Sequence, residues 1–346
     1  MKKIKLGVYP YTYVRANVMR SLLIKREDYH KLMKMSLNGV TSYLQDSFYK
    51  KEIDKFAADY SGIDLLEVAL NANLASSFNK LRRISPPELR LLINIYAKRK
   101  DIDDIKSIIR VKYTGSGEKD MQKIVFAAGS LDYDFFLNLF RMDSIEEILK
   151  KNKIVPFTRL EKAYQTFEKE KTLRDIETEL DRYYYEQVFK FTKLLPESGK
   201  LFRNFLKSEI EIRNIMTLLR LYREKMDKEE IKKYTLFSGS LVNDLIKSND
   251  QRELIEKIAK SKYKEILKEG IEKFKNEDSL IDIEISLYNY LLNKSVLMLH
   301  QHPLSVDSIL SYMFAKEIEI KNLRLLTRGK QLGLSEEFIE KQLVVS

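Results

Sequence analysis

Glu209-Ile210-Glu211-Ile212-Arg213-Asn214-Ile215 and Glu317-Ile318-Glu319-Ile320-Lys321-Asn322-Leu323 are near copies of one another within a single chain. Asn214 to Asn322 is a step of 108 residues. A step of 110 back from Asn214 lands on Asp104, inside Asp101-Ile102-Asp103-Asp104-Ile105, where an acid, an apolar residue and a polar residue fill the same slots. Asp101, Glu211 and Glu319 therefore correspond. So do Ile102, Ile212 and Ile320, and Ile105, Ile215 and Leu323. Self-similarity at a long, constant step marks a repeat architecture and decides the fold ahead of any single motif.

Working outward, other markers keep the step. Glu67 and Leu70 match Glu177 and Leu180, then Glu284 and Leu287, at 110 and 107. Gly129-Ser130-Leu131 matches Gly239-Ser240-Leu241, and 108 residues earlier Ser21-Leu22-Leu23 keeps the leucine. Tyr49-Lys50-Lys51-Glu52-Ile53 resembles Tyr263-Lys264-Glu265-Ile266, with Phe157 between them at the same step. The chain divides into three similar units, residues 1–115, 116–225 and 226–346. Each closes in the helix that carries the acid and asparagine pattern.

The closing segments are helical by period. Ile212, Ile215, Met216 and Leu219 follow i, i+3, i+4, i+7; Ile102, Ile105 and Ile109, and Ile320, Leu323 and Leu326, do likewise. The segments opening at Glu67, Glu177 and Glu284 carry Leu, Tyr and Phe at helical spacing for 15 to 18 residues. Ser85-Pro86-Pro87-Glu88 predicts a capped helix start with Glu88 at the capping-box position. Asp227 and Ser335 precede first-turn acids, as N-caps do. Breaks are expected in Tyr113-Thr114-Gly115-Ser116-Gly117 and between Arg223 and Asp227. Turns are expected at Pro196-Glu197-Ser198-Gly199 and His302-Pro303-Leu304. No alternating strand is evident, so the predicted class is all-α.

Composition agrees. Eleven Gly and six Pro stand where average usage over 346 residues gives roughly 40, which disfavours turn-rich β-sandwiches and doubly wound α/β folds. The chain is 44% apolar, enough for a core, and has no cysteine, hence no disulfide, thiolate metal site or catalytic thiol. The Met1-Lys2-Lys3-Ile4-Lys5 start fails as a signal peptide, because Tyr9-Pro10-Tyr11 and Arg15 interrupt the apolar region. With no membrane span, a soluble cytoplasmic protein is expected.

The chemistry of catalysis is missing. Gly115-Ser116-Gly117-Glu118-Lys119 lacks the spacing of a phosphate-binding loop. His30, His300 and His302 have no companion ligands at metal-site spacing, and no strand–Ser–helix elbow supports a triad. No cofactor and no metal are expected. Glu209/Glu211 and Glu317/Glu319 lie two apart on a helix and point in different directions, so contacts between neighbouring units are the expected role. Asn214 and Asn322 are mediocre helix formers, and side-chain hydrogen bonds to an adjacent segment account for them. Of Tyr183-Tyr184-Tyr185, two suit the core and one an exposed face.

Charge is uneven. The net +11 is held almost wholly by residues 1–100, with 19 bases against 9 acids. This third could face acidic protein, anionic lipid headgroups or nucleic acid. A nucleic-acid-binding helical-repeat protein is the alternative function, although Lys80-Leu81-Arg82-Arg83 and Lys98-Arg99-Lys100 carry no nucleic-acid-binding signature.

Residues 302–344 resemble the C-terminal signature of the C subunit of archaeal and bacterial A/V-type ATPases, a family that includes the d subunit of the eukaryotic V-ATPase. The matching residues are His302-Pro303-Leu304-Ser305-Val306-Asp307, Tyr312, Ala315-Lys316-Glu317, Glu319-Ile320-Lys321-Asn322-Leu323-Arg324, Gly329-Lys330 and Gly333-Leu334. Leu195-Pro196-Glu197, Phe205 to Asn214, and Tyr13-Val14-Arg15-Ala16 with Leu22-Leu23 resemble the same family, with Asn17 and Met19 departing from its arginine-bearing opening. The resemblance implies three similar helical units in a funnel of approximate threefold symmetry. It also implies a non-catalytic central-rotor component on the cytoplasmic face of the membrane, one copy per complex. Its partners would be the proteolipid rotor ring and the central stalk. On this reading Arg15, Arg20, Arg82, Arg83, Lys98 and Arg99 are candidate partner contacts.

Overall fold

The structure, a computed structural model, describes residues 7–115, 121–195, 199–237, 239–277, 279–301 and 304–345. Among these residues there are nineteen helices and no strand. The first, α1 (Pro10–Ser21), stands apart. Six follow: α2 (Arg26–Lys34), α3 (Leu37–Gln45), α4 (Lys50–Phe56), α5 (Gly62–Ile84), α6 (Pro87–Thr114) and α7 (Met121–Ile124). The same order of short and long helices recurs as α8 (Tyr133–Phe140), α9 (Ile145–Lys151), α10 (Phe157–Glu170), α11 (Arg174–Thr192), α12 (Lys200–Arg223) and α13 (Lys228–Tyr234). It recurs again as α14 (Ser240–Ile246), α15 (Gln251–Ala259), α16 (Lys264–Glu277), α17 (Ile281–Gln301), α18 (Val306–Gln331) and α19 (Glu336–Gln342).

The helices form where periodicity and caps direct them. Ser335 Oγ accepts from Phe338 N, and Asp227 Oδ2 from Glu229 N, each capping a helix start. Asp132, Ser144 and Asp250 cap α8, α9 and α15 in the same way. The expectation for Ser85 needs correction. Its hydroxyl donates back to Leu81 O and ends α5, while Pro86 is the residue before α6. With Pro86 in the N-cap position, Ser85 stands one residue too early to cap α6. The helices predicted to open at Glu67, Glu177 and Glu284 start three to five residues earlier, at Gly62, Arg174 and Ile281. Gly62 and Gly115 have positive φ, the left-handed conformation in which glycine alone pays no steric penalty.

The closing helices α6, α12 and α18 bury every apolar residue named above for them. Leu70, Leu180 and Leu287, one from each preceding helix, are fully buried too. Each such side chain stabilises the fold by about 1.5–3 kcal/mol relative to exposure. The equivalent polar residues each hold a segment 22 residues further on. Asn214 Oδ1 accepts from Leu236 N at 2.8 Å while its amide donates to Leu236 O. Asn322 treats Val344 identically, at 3.0 and 2.7 Å. Asp104, with two acceptor oxygens, takes Phe126 N and Ala127 N instead, at 2.8 and 2.9 Å. Burial raises the Asp104 carboxyl well above the usual range, against those two amides.

The long helices meet in a fixed sense. α6 packs on α11, α12 on α17, and α18 on α5. The third contact joins the end of the chain to its beginning. Helix α1 lies over that junction and packs on both α18 and α5. Tyr9 N donates to Leu304 O at 2.7 Å and Thr12 Oγ1 to Ile84 O at 2.8 Å.

Candidate functional site where the closing helices meet

With no catalytic constellation in the sequence, the candidate site is the set of contacts that joins the long helices and the space between them. Each marker glutamate of α5, α11 and α17 receives an arginine from a closing helix. Arg110 Nε and Nη2 both donate to Glu177 at 2.6 Å. Arg220 Nη2 reaches Glu284 at 2.8 Å. Arg328 Nε reaches Glu67 at 2.6 Å, and Arg324 Nε lies 3.0 Å from the same carboxylate. The three arginines are themselves 110 and 108 apart. The sequence therefore carries a signal for them, one that the acidic and apolar markers alone do not reveal.

A second set lies deeper. Tyr263 Oη donates to Glu211 at 2.8 Å, with Lys262 beside it. Tyr49 Oη donates to Glu319, which also accepts from Ile24 N and from the fully buried Lys316 ammonium. Burial lowers the Lys316 pKa against the pull of Glu319. The third acid, Asp101, has Phe157 in place of its tyrosine by the repeat step, and accepts from Ser130 N, Ser130 Oγ and Leu131 N.

The third set joins three equivalent positions at one point. Arg99 donates to Glu209 at 2.6 Å and to Glu317 at 3.1 Å. These residues sit at the same slot of α6, α12 and α18, 110 and 108 apart. All three side chains are no more than 14% exposed. The guanidinium lies over the Tyr96 ring, 4.2 Å from its centre. Burial acts to lower the Arg99 pKa, but Glu317, Tyr96 and Glu209 together raise it well above the ordinary value. Glu209 is itself raised, because burial and the facing Glu317 outweigh Arg99. Lys100 reaches Glu317 at 3.2 Å.

The triad borders a cavity of about 370 Å³ lined from α5, α6, α11, α12, α17 and α18. The next equivalent slot, Asp103, Arg213 and Lys321, also lines it. Burial opposes ionisation of Asp103, yet Lys100 and Lys106 hold its carboxyl well below the usual range. Arg213 pairs with Asp181, and Lys321 lies over Tyr288, 3.7 Å from the ring centre. The space is charged, mixed in sign, partly open, and lined chiefly by helices.

The predicted contact residues separate into two groups. Arg15, Arg83 and Lys98 are exposed, and Arg20 is half-buried. Arg82 and Arg99 face inward: Arg82 donates to Asn94 Oδ1, Ala128 O and Gly129 O, and Arg99 holds the triad. Both guanidiniums thus direct most of their donors to acceptors within the chain. Tyr184 and Tyr185 are buried and Tyr183 half-buried; Tyr184 Oη donates to Tyr96 O. The segments 116–120, 196–198 and 302–303, with the excluded phosphate loop, the expected turns and His302, lie outside the described residues, as does the His300 side chain.

Sequence comparison gives this arrangement its place. The family model for the ATP synthase (C/AC39) subunit matches residues 12–342. The chain belongs to that family. It is a non-catalytic component of an A/V-type ATPase. Among its relatives, the A-type ATP synthase C subunit of Methanococcoides burtonii is 36% identical over 97% of this chain and 94% of the relative. The Methanosarcina barkeri protein of the same name is 34% identical over 99% and 95%. That of Haloferax volcanii is 32% identical over 97% of both. Among the described residues, no helix of this family member is long and apolar enough to cross a membrane, and no group of three or more metal-ligating side chains forms.

Proposed function

We propose that this ATPase component is the socket that joins the membrane rotor ring to the central stalk and passes rotation between them. It would sit on the cytoplasmic face of the membrane, one copy per complex. We further propose that its three units surround an approximate threefold axis. The observation that carries this reading is the cyclic order of the arginine–glutamate pairs: 110 to 177, 220 to 284, and 328 back to 67. An open array of repeats would supply the first two pairs and leave Arg328 and Glu67 at opposite ends. A closed one brings equivalent positions together on its axis, as Arg99, Glu209 and Glu317 meet.

A rotor coupling must twist as one body. Close-packed helices transmit strain because their interiors have low compressibility, and the ion pairs across each junction resist separation of the units. The charged central cavity suits the single stalk, and the repeated helix ends suit a ring of identical subunits. Arg15, Arg20, Arg83 and Lys98 remain the proposed outward basic contacts. To keep each held segment with its helix, the units are best ended near residues 127, 237 and 345, later than the 115 and 225 expected from sequence.

The test is capture from detergent-solubilised source membranes at moderate salt, with the tagged full chain as bait. Recovery of a small hydrophobic ring protein with stalk and nucleotide-binding subunits supports the reading. In the assembled complex, charge reversal at the proposed contacts should leave ATP hydrolysis and lower ATP-driven ion transport. Capture of nucleic acid and its processing proteins without any ATPase component would sink it.

A further inference from the structure

We propose that the outward face of α1 is a docking surface for an anionic lipid bilayer. The helix buries Thr12, Ala16 and Met19 and turns Tyr11, Val14 and Val18 outward, in line with exposed Leu22 just past its end. These fall at i, i+3, i+7 and i+11, one stripe along the helix. With Val8 they are five of the thirteen exposed large hydrophobics among the described residues, gathered within fifteen positions. Tyr11 is 64% and Val14 56% exposed. Scattered exposed apolar residues are ordinary, whereas a continuous patch marks an interaction surface.

Charge identifies the occupant. Helix α1 contains no acid. Arg15 is exposed within the stripe, and the exposed Lys25 and Arg26 follow its end. In the sequence seven lysines and arginines precede Glu27, the first acidic residue. Apolar side chains interleaved with bases and free of acids seat a helix at the headgroup boundary, with aliphatic groups among acyl chains and guanidiniums at phosphates. An apolar protein partner would fit the stripe without requiring the acid-free run. Because α1 lies outside α5 and α18, it can lie flat on a bilayer with the body still folded. Such a hold on lipid is independent of the ring, and so goes beyond the coupling role.

The experiment is vesicle flotation of the purified full chain with no other ATPase component present. Phosphatidylcholine vesicles with about one-third phosphatidylglycerol are compared with pure phosphatidylcholine. The chain is expected to float with the anionic vesicles and to be released by salt. Arg15→Gln should weaken binding about fivefold, and Val14→Ser/Val18→Ser at least about tenfold. Tyr11→Ser is the second apolar variant should the double one fail to fold, which circular dichroism reports. Absence of flotation by the unmodified chain, or equal flotation by the folded apolar variants, overturns the proposal. A chain that ignores vesicles but binds ring-containing membranes assigns the stripe to protein, overturning this inference and leaving the coupling role intact. Vesicle binding without capture of ring or stalk does the reverse.

Discussion

Replacing Arg99 with methionine removes the cation that bridges Glu209 and Glu317. At the observed 2.6 Å separation from Glu209 and an effective dielectric of 20, a single pair attracts by roughly 6 kcal/mol before desolvation. Breaking a buried pair costs about 3–5 kcal/mol, mostly because one charge is left uncompensated. Glu317 keeps Lys100 at 3.2 Å, so the uncompensated charge is Glu209 and the expected loss is near the low end, about 3 kcal/mol. The pH dependence follows. The folded-state pKa of Glu209 is already raised by burial, and losing Arg99 raises it further. A carboxyl raised on folding binds its proton more tightly in the native state, so stability falls as pH rises through the interval between the unfolded value, about 4.3, and the folded one. The deficit of the Arg99→Met protein should therefore be smallest near the lower edge of that interval and grow with pH. Adding Glu209→Gln should recover about half or more of the loss at neutral pH by removing the stranded charge. Urea unfolding followed by far-ultraviolet circular dichroism across pH 4 to 8 measures each quantity. A loss that is pH-independent, or a double variant no more stable than the single one, would refute this account of the triad.

Asn214→Leu and Asn322→Leu should each cost about 2–4 kcal/mol, because the buried amide and carbonyl of Leu236 or Val344 lose this side-chain partner. Hydrogen exchange at those two amides should quicken in step with the loss in denaturant stability. Glu67 is 5% exposed and faces both Arg324 and Arg328, so Glu67→Ala should cost about 3 kcal/mol. Arg220, 59% exposed, should cost under about 1 kcal/mol when changed to alanine, and comparing the two by thermal melting tests whether burial sets the difference. Gly129 and Gly239 occupy the same repeat slot but different surroundings. A Cβ on Gly129 would overlap the Asp101 carboxylate, whereas one on Gly239 meets nothing within 4 Å. Gly129→Ala should therefore destabilise by about 1–3 kcal/mol and Gly239→Ala by less, about 0.5–1 kcal/mol, because alanine is a poorer N-cap than glycine, in the same melting assay.

Sequence by itself determined the helical class, the step near 108 to 110 and the residues that repeat at it. It could do so because amphipathic period and self-similarity are local properties, written in the order of side chains. Asn214 and Asn322 were legible as hydrogen-bonding residues because a helix interior gives an amide little other use. Their partners at Leu236 and Val344 were not, since nothing in a backbone segment advertises that its amide and carbonyl will need a side chain. Arg82 and Arg99 read as part of a basic surface because net charge counts residues and does not see direction. Tertiary structure alone turned Arg99 inward against Glu209 and Glu317, and left Arg15 outside on a helix packed on both α5 and α18, the latter from the far end of the chain. Closure was likewise beyond the sequence. A repeat can stack openly or return on itself, and the proposed closed arrangement rests on contacts such as Arg328 with Glu67, 261 residues apart, and Tyr49 with Glu319. Such a contact depends on the summed rotation of every unit between, a quantity that no single stretch of sequence carries.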